Sequence, residues 1–240
     1  MNLLLIRYAV LAFGGSNEYD KATSIVVNGD TFTSIKNLPL FLNHLKTGNG
    51  SSDIMVAITA ATSMLSFTPG ASKIFILLPC SDCSSKFMKF DYSSVIQLLT
   101  ENVVNLHILS DHNLATNKKD KIKILGFDRL KAYTKKDQKV LIGDEEKRQQ
   151  MRIPKSSMGM CIRLALETEG SMFSSKGFTE RKNDNELKIL SNVFSKRIAL
   201  TARPSSCQMC ECQGHNSGQS YMTCLNCHDS TDALDYVRLN

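Results

Sequence analysis

Lys73–Asp82 reads KIFILLPCSD, and its interpretation decides the fold. From Ile74 to Pro79 no residue is charged, and the run is bounded by Pro69-Gly70 before it and Pro79-Cys80-Ser81 after it. A short apolar run with such limits predicts a strand buried on both faces, the kind found in parallel sheets covered by helices. In those sheets ligands sit beyond the carboxyl ends of the strands. Pro79–Asp82 is therefore where chemistry is first sought.

Working upstream, Met64 and Leu65 close a helical pattern with Ile54, Ala57, Ile58 and Ala61, which Ser51 or Ser52 can cap and whose positive end suits Asp53. Leu38, Phe41, Leu42 and Leu45 predict another helix, starting at Pro39 because proline fits only the first turn. Arg7–Gly15 and Ser24–Val27 read as strands, the second ended by the turn Asn28-Gly29-Asp30. Downstream, Val95, Ile96 and Leu99 mark a helix over 92–102, and Val103–Leu109 is a second buried strand. This alternation predicts a doubly wound α/β sheet, mostly parallel. Residues 1–115 are assigned to it.

Residues 116–185 read as a basic connector with partly irregular structure. Between 117 and 155 there are thirteen Lys and Arg against six acids, so this segment alone nets +7 and the rest of the chain, which totals +6 overall, is near neutral. Around Cys161 the pattern from Met160 to Phe173 is strand-like or mixed. Over 186–203, Leu187, Leu190, Val193, Phe194 and Ile198 form one stripe of an amphipathic helix that packs on the α/β domain. Residues 204–240 form a cysteine-rich tail. No apolar run reaches the roughly 18–20 residues that span a bilayer, so no transmembrane span is expected.

Four features carry candidate chemistry. The loop from Gly48 to Asp53 could present backbone N–H groups to an anion, but it lacks the glycine patterns of nucleotide sites and reads as a capped helix start. It contains the glycosylation sequon Asn49-Gly50-Ser51. Cys80 and Cys83 are spaced as a redox pair, although the polar residues around them read as loop rather than helix start. The five histidines have no metal-ligand spacing, and His44 and His107 read as an exposed helix position and a strand side chain. Cys207, Cys210, Cys224 and Cys227 have the spacing of a structural zinc ribbon. Cys212 and Cys161 bring that set to six, which also pairs off as three disulfides.

Tyr8–Gly15, the Gly48–Asp53 loop, Ala57-Ile58, Phe67–Lys73 and Val104–Leu109 together resemble a von Willebrand factor type A domain. Such domains hold a divalent cation at an adhesion site. Here Ser52 falls on the threonine position and Cys80 where the last aspartate is required, with Asp82 nearby. Asp-x-Ser-x-Ser has no counterpart, and the resemblance implies that the first strand and helix are missing. The site is degenerate and no metal is expected, since hard cations want several oxygen ligands.

Ile124–Asp128, Ala132–Asp137, Gly143-Asp144, Pro154-Lys155, Cys161, Leu164–Thr168, Ser195–Ala199 and the tail Cys207–Cys212 with Cys224–Cys227 resemble the carboxyl-terminal region of apolipophorins. These are large lipid transfer proteins that carry lipid in haemolymph. The resemblance implies a secreted, non-enzymatic interaction or structural module, with lipid carried by the whole particle and no cofactor or catalytic residue here. It makes Cys80, Cys83, Cys161, Cys207, Cys210, Cys212, Cys224 and Cys227 disulfide candidates and Asn49 a glycosylation site. The expected partners are the rest of the parent chain, the lipoprotein particle and a receptor or other extracellular protein. The competing expectation is an intracellular type A domain with zinc on Cys207, Cys210, Cys224 and Cys227, a subunit of a nucleic-acid-associated complex through its basic connector.

Overall fold

Thirteen elements are placed by a computed structural model, which describes residues 6–14, 22–46, 53–79, 91–110, 114, 123–136, 139–143, 157–175 and 184–202. In chain order they are β1 (Leu11–Ala12), β2 (Thr23–Ser24), α1 (Leu38–Asn43), α2 (Ile54–Met64), β3 (Lys73–Leu77), α3 (Tyr92–Glu101) and β4 (Val104–Ser110). Then follow β5 (Lys123–Asp128), β6 (Ala132–Lys136), β7 (Lys139–Gly143), α4 (Ser157–Glu167), β8 (Ser171–Ser174) and α5 (Asp184–Thr201).

Six strands form one sheet in the order β3-β4-β8-β5-β6-β7. β3 with β4 and β4 with β8 are parallel, whereas β8 with β5, β5 with β6 and β6 with β7 are antiparallel. The fold is thus mixed α/β, not mostly parallel. The antiparallel half is built from 123–143, the segment that reads as a basic connector. Lysines interrupt each short apolar run there, and they hide the strands from any periodicity argument.

Alternation along the strands separates two cores. Val104, Leu106 and Ile108 of β4 meet Ile54, Met55 and Ile58 of α2, Val95 and Leu99 of α3, and Ile162, Leu164, Ala165 and Leu166 of α4. On the opposite face Leu125, Tyr133 and Phe173 meet Leu190, Val193 and Phe194 of α5. Helices therefore cover both faces. Eleven residues of α4 would be marginal as an isolated helix. Ile162 and Leu164 are fully buried, and each such side chain contributes about 1.5–3 kcal/mol, so packing rather than propensity holds α4. The segment 160–173, which reads as strand-like or mixed, is instead this helix followed by β8, with Arg163 and Glu167, four residues apart, on its exposed side.

Two glycines are required by close approach. A Cβ at Gly170 would overlap the Leu106 carbonyl oxygen, and one at Gly126 would overlap the Phe173 ring. Gly126 follows an irregularity in the β5–β6 register, where Leu125 has no opposite residue and turns to the α5 face. Thr168 strengthens the α4–β8 turn: its hydroxyl accepts from Leu106 N at 3.1 Å and donates to Leu164 O at 2.8 Å.

The amino-terminal residues form a separate small hairpin, with Leu11 opposite Ser24 and Ala12 opposite Thr23. Asn28 and Gly29 take φ of 54° and 85°, as a tight reversal from Val27 to Asp30 demands. α1 begins at Leu38 with Pro39 in its first turn, yet Phe41 alone of its apolar residues is buried.

Candidate functional site

The parallel strands end together at Leu77, Ser110 and Ser174, so the carboxyl edge is assembled as the strand reading requires. Its sequence candidates Cys80, Asp82 and Cys83 lie outside the described residues, as do Asn49, Ser52 and the tail Cys207, Cys210, Cys212, Cys224 and Cys227. Asp53, not Ser51 or Ser52, caps α2: its carboxylate accepts from Met55 N at 2.9 Å and Val56 N at 3.2 Å. The donors that an anion would need are already taken by a negative side chain. Among the described residues no group of three or more His, Cys, Asp or Glu is placed to hold a metal ion.

Cys161 is fully buried in α4 and is disulfide-bonded, its partner lying outside the described residues. His44 is exposed at the end of α1. His107 is neither exposed nor idle. It sits in the middle of β4, fully buried, and Ser171 of β8 and Thr201 of α5 hold its two nitrogens at 2.7 and 2.8 Å. Thr201 donates its hydroxyl proton to Ile198 O, so it accepts from Nε2–H and leaves Nδ1 to accept from Ser171. Burial first, and the Arg197 charge second, push His107 down to about 3, which keeps the imidazole neutral.

Beside it lies a second polar knot. Asp128 Oδ1 accepts from Leu130 N and Lys131 N, both at 2.7 Å, and Oδ2 accepts from Tyr133 OH at 2.8 Å. Arg197 Nε reaches Oδ2 at 3.3 Å as an ion pair too poorly angled to be a hydrogen bond, while its Nη2 donates to Glu169 O at 2.8 Å. Burial and the Asp128 charge raise Tyr133 far above an ordinary phenol. A serine donating to a histidine is the geometry of an activated nucleophile. Here Ser171 and His107 have no exposed surface, and α5 lies across them. The pair locks a helix and is closed to substrate. Periodicity could not find it, because its members are scattered from 107 to 201.

β3 presents a different environment. Among the described residues it is an edge strand, half-exposed, with Ile76 48% exposed and Leu78, just past its end, 60%, rather than a strand buried on both faces. The apolar run was legible, but such a run does not reveal whether a neighbouring strand is present. Along that edge runs a cavity of about 220 Å³. Ala57, Ile58, Ala61 and Leu65 of α2, Leu106 of β4, Ile74–Leu77, and Tyr8, Ala9, Leu11 and Phe13 line it. Phe32 and Phe67 close one end, their rings 5.6 Å apart, with Arg7 over the first at 5.0 Å and Lys73 over the second at 5.6 Å. Arg7 is the one charged residue among those lining the cavity.

No helix among the described residues is long and apolar enough to cross a membrane. No family model and no curated protein matches the chain. Among solved structures it is similar to an uncharacterized membrane spanning protein from Vibrio fischeri. That similarity has 14% identity over 79% of this chain and 74% of the other, with a TM-score of 0.25, too low to carry an argument about either fold or function.

Proposed function

We propose that this chain is a non-enzymatic interaction and structural module of a secreted lipid-transport protein, apolipophorin-like and containing a von Willebrand factor type A-like domain. The observation that carries the reading is the disulfide at Cys161, fully buried in the core of α4. Structural disulfides persist in oxidising compartments and are rare where thiols are kept reduced. The parallel strands β3, β4 and β8 with helices on both faces support the type A-like part.

Peptide mapping without reduction tests this. The expected result is Cys161 in a disulfide-linked peptide, the Cys207–Cys227 cluster also paired, and no bound zinc. Free thiol at Cys161, with about one zinc per chain released by thiol modification, would overturn the reading in favour of an intracellular domain with a zinc ribbon.

A further inference from the structure

The cavity beside β3 lies over one face of the sheet, against α2, and its two ends differ. Ile58, Leu77 and Leu106 line it and are only 2%, 7% and 0% exposed, so part of its wall is the main core. Phe67, which also lines it, follows α2, and its ring is 5.6 Å from Phe32 and 6.0 Å from Phe75. Lys73, the first residue of β3, lies over Phe67, whereas Leu77 is the last residue of that strand. The aromatic end and the core end are therefore set apart by the length of β3.

Arg7 stands at the aromatic end, 5.0 Å over the Phe32 ring. It is exposed, it is the one charged residue on the lining, and among the described residues no carboxylate is paired with it. Lys73 adds a second positive charge close by. An anion is drawn to that end and a cation is repelled. Five of the sixteen lining residues, Tyr8, Phe13, Phe32, Phe67 and Phe75, are aromatic, so a flat ring inside finds edges and faces to pack on.

Size narrows the choice. An apolar cavity of about 150 Å³ holds one benzene ring, and this one measures about 220 Å³. It takes a single ring with a short chain. A long acyl chain or a peptide segment exceeds it, since pockets for drug-sized molecules start at about 300 Å³.

We propose that the cavity binds a small aromatic carboxylate, its ring packed among Ile58, Phe75 and Leu106 and its carboxylate on the Arg7 guanidinium. This inference is independent of the compartment and of the lipid-carrier reading, because it uses only residues between Arg7 and Leu106.

Methyl NMR of the whole chain, titrated with 3-phenylpropionate at neutral pH, tests it. The expected result is saturable shifts of the Ala57, Ile58, Ala61 and Leu106 methyls, with a dissociation constant below about 1 mM. 3-Phenylpropanamide, of the same size without the charge, should bind at least about tenfold more weakly, as loss of a charge-assisted hydrogen bond requires. Arg7→Gln, at an exposed position, should remove that preference and leave the amide unchanged. Ala61→Trp, which fills the cavity from α2, should abolish binding of both. Equal affinity for acid and amide would overturn the proposal, as would a preference for the acid that survives Arg7→Gln. Absence of saturable shifts with 3-phenylpropionate would overturn it too. If Ala61→Trp does not fold, Arg7→Gln still decides, because the methyls that shift locate the site.

Discussion

The α5 face and the β3 edge are opposite solutions to finishing one sheet. Under α5 the polar groups of β4, β5, β6 and β8 are paired with one another, and the covering helix supplies Arg197 and Thr201 as the last partners. At β3 the lining of the cavity is almost wholly apolar side chains, with Arg7 the one charged residue among them. The first arrangement specifies one position for one helix. The second is an apolar surface that fixes no position for any one partner. A charged network gives uniqueness, and an apolar slot gives tolerance.

The largest test of that contrast is Asp128→Ala. It strips partners from Tyr133 OH, Leu130 N and Lys131 N and leaves the partly buried Arg197 guanidinium without its carboxylate, a loss expected to cost about 3 kcal/mol. Denaturant unfolding measures it. A change near zero would mean that the network does not hold α5.

Acid offers a second test. In the unfolded chain His107 titrates in its ordinary range near 6.5, but in the fold it is held down to about 3. Between those values the unfolded state binds a proton that the folded state does not. Stability is therefore intact above about pH 6.5 and falls as the pH drops, by about 1.4 kcal/mol per pH unit from this group. His107→Gln should flatten the slope by that amount between pH 6 and pH 4. An unchanged slope would place the proton uptake elsewhere.

The smallest effect belongs to the other side. Ile76→Thr, at a half-exposed position of the edge, should change stability by less than about 0.5 kcal/mol. A large loss would show that the edge is already covered in solution, and the contrast would fail.

Much of the parallel half was legible because its strands are short, apolar and separated by capped helices, as at Ile54–Met64 after Asp53 and Val104–Ser110 after α3. What was missed has physical causes. The strands between Lys123 and Gly143 are short and flanked by lysines, and α4 is followed after three residues by β8, so one apolar stretch spans a helix and a strand. β3 was found as a strand and placed wrongly in the sheet, because hydrophobicity records what a residue is built to touch and not whether it is touched. Of the candidate sites, Cys161 could be singled out from its type alone. The His107–Ser171–Thr201 and Asp128–Tyr133–Arg197 contacts could not, since the fold alone brings together residues up to 94 positions apart.

The place of β8 has a consequence in time. Among the described residues it is the last strand of the sheet to be synthesised, yet it stands between β4 and β5 and joins the parallel half to the antiparallel half. Until Ser171–Ser174 has left the ribosome, β3–β4 and β5–β6–β7 can form only as two separate ribbons, each with a bare edge at the future seam. Long-range pairing of this kind slows folding and leaves sticky edges open meanwhile. The chain therefore completes its sheet late and all at once, when one four-residue strand enters the gap and gives α5 a surface on which to settle.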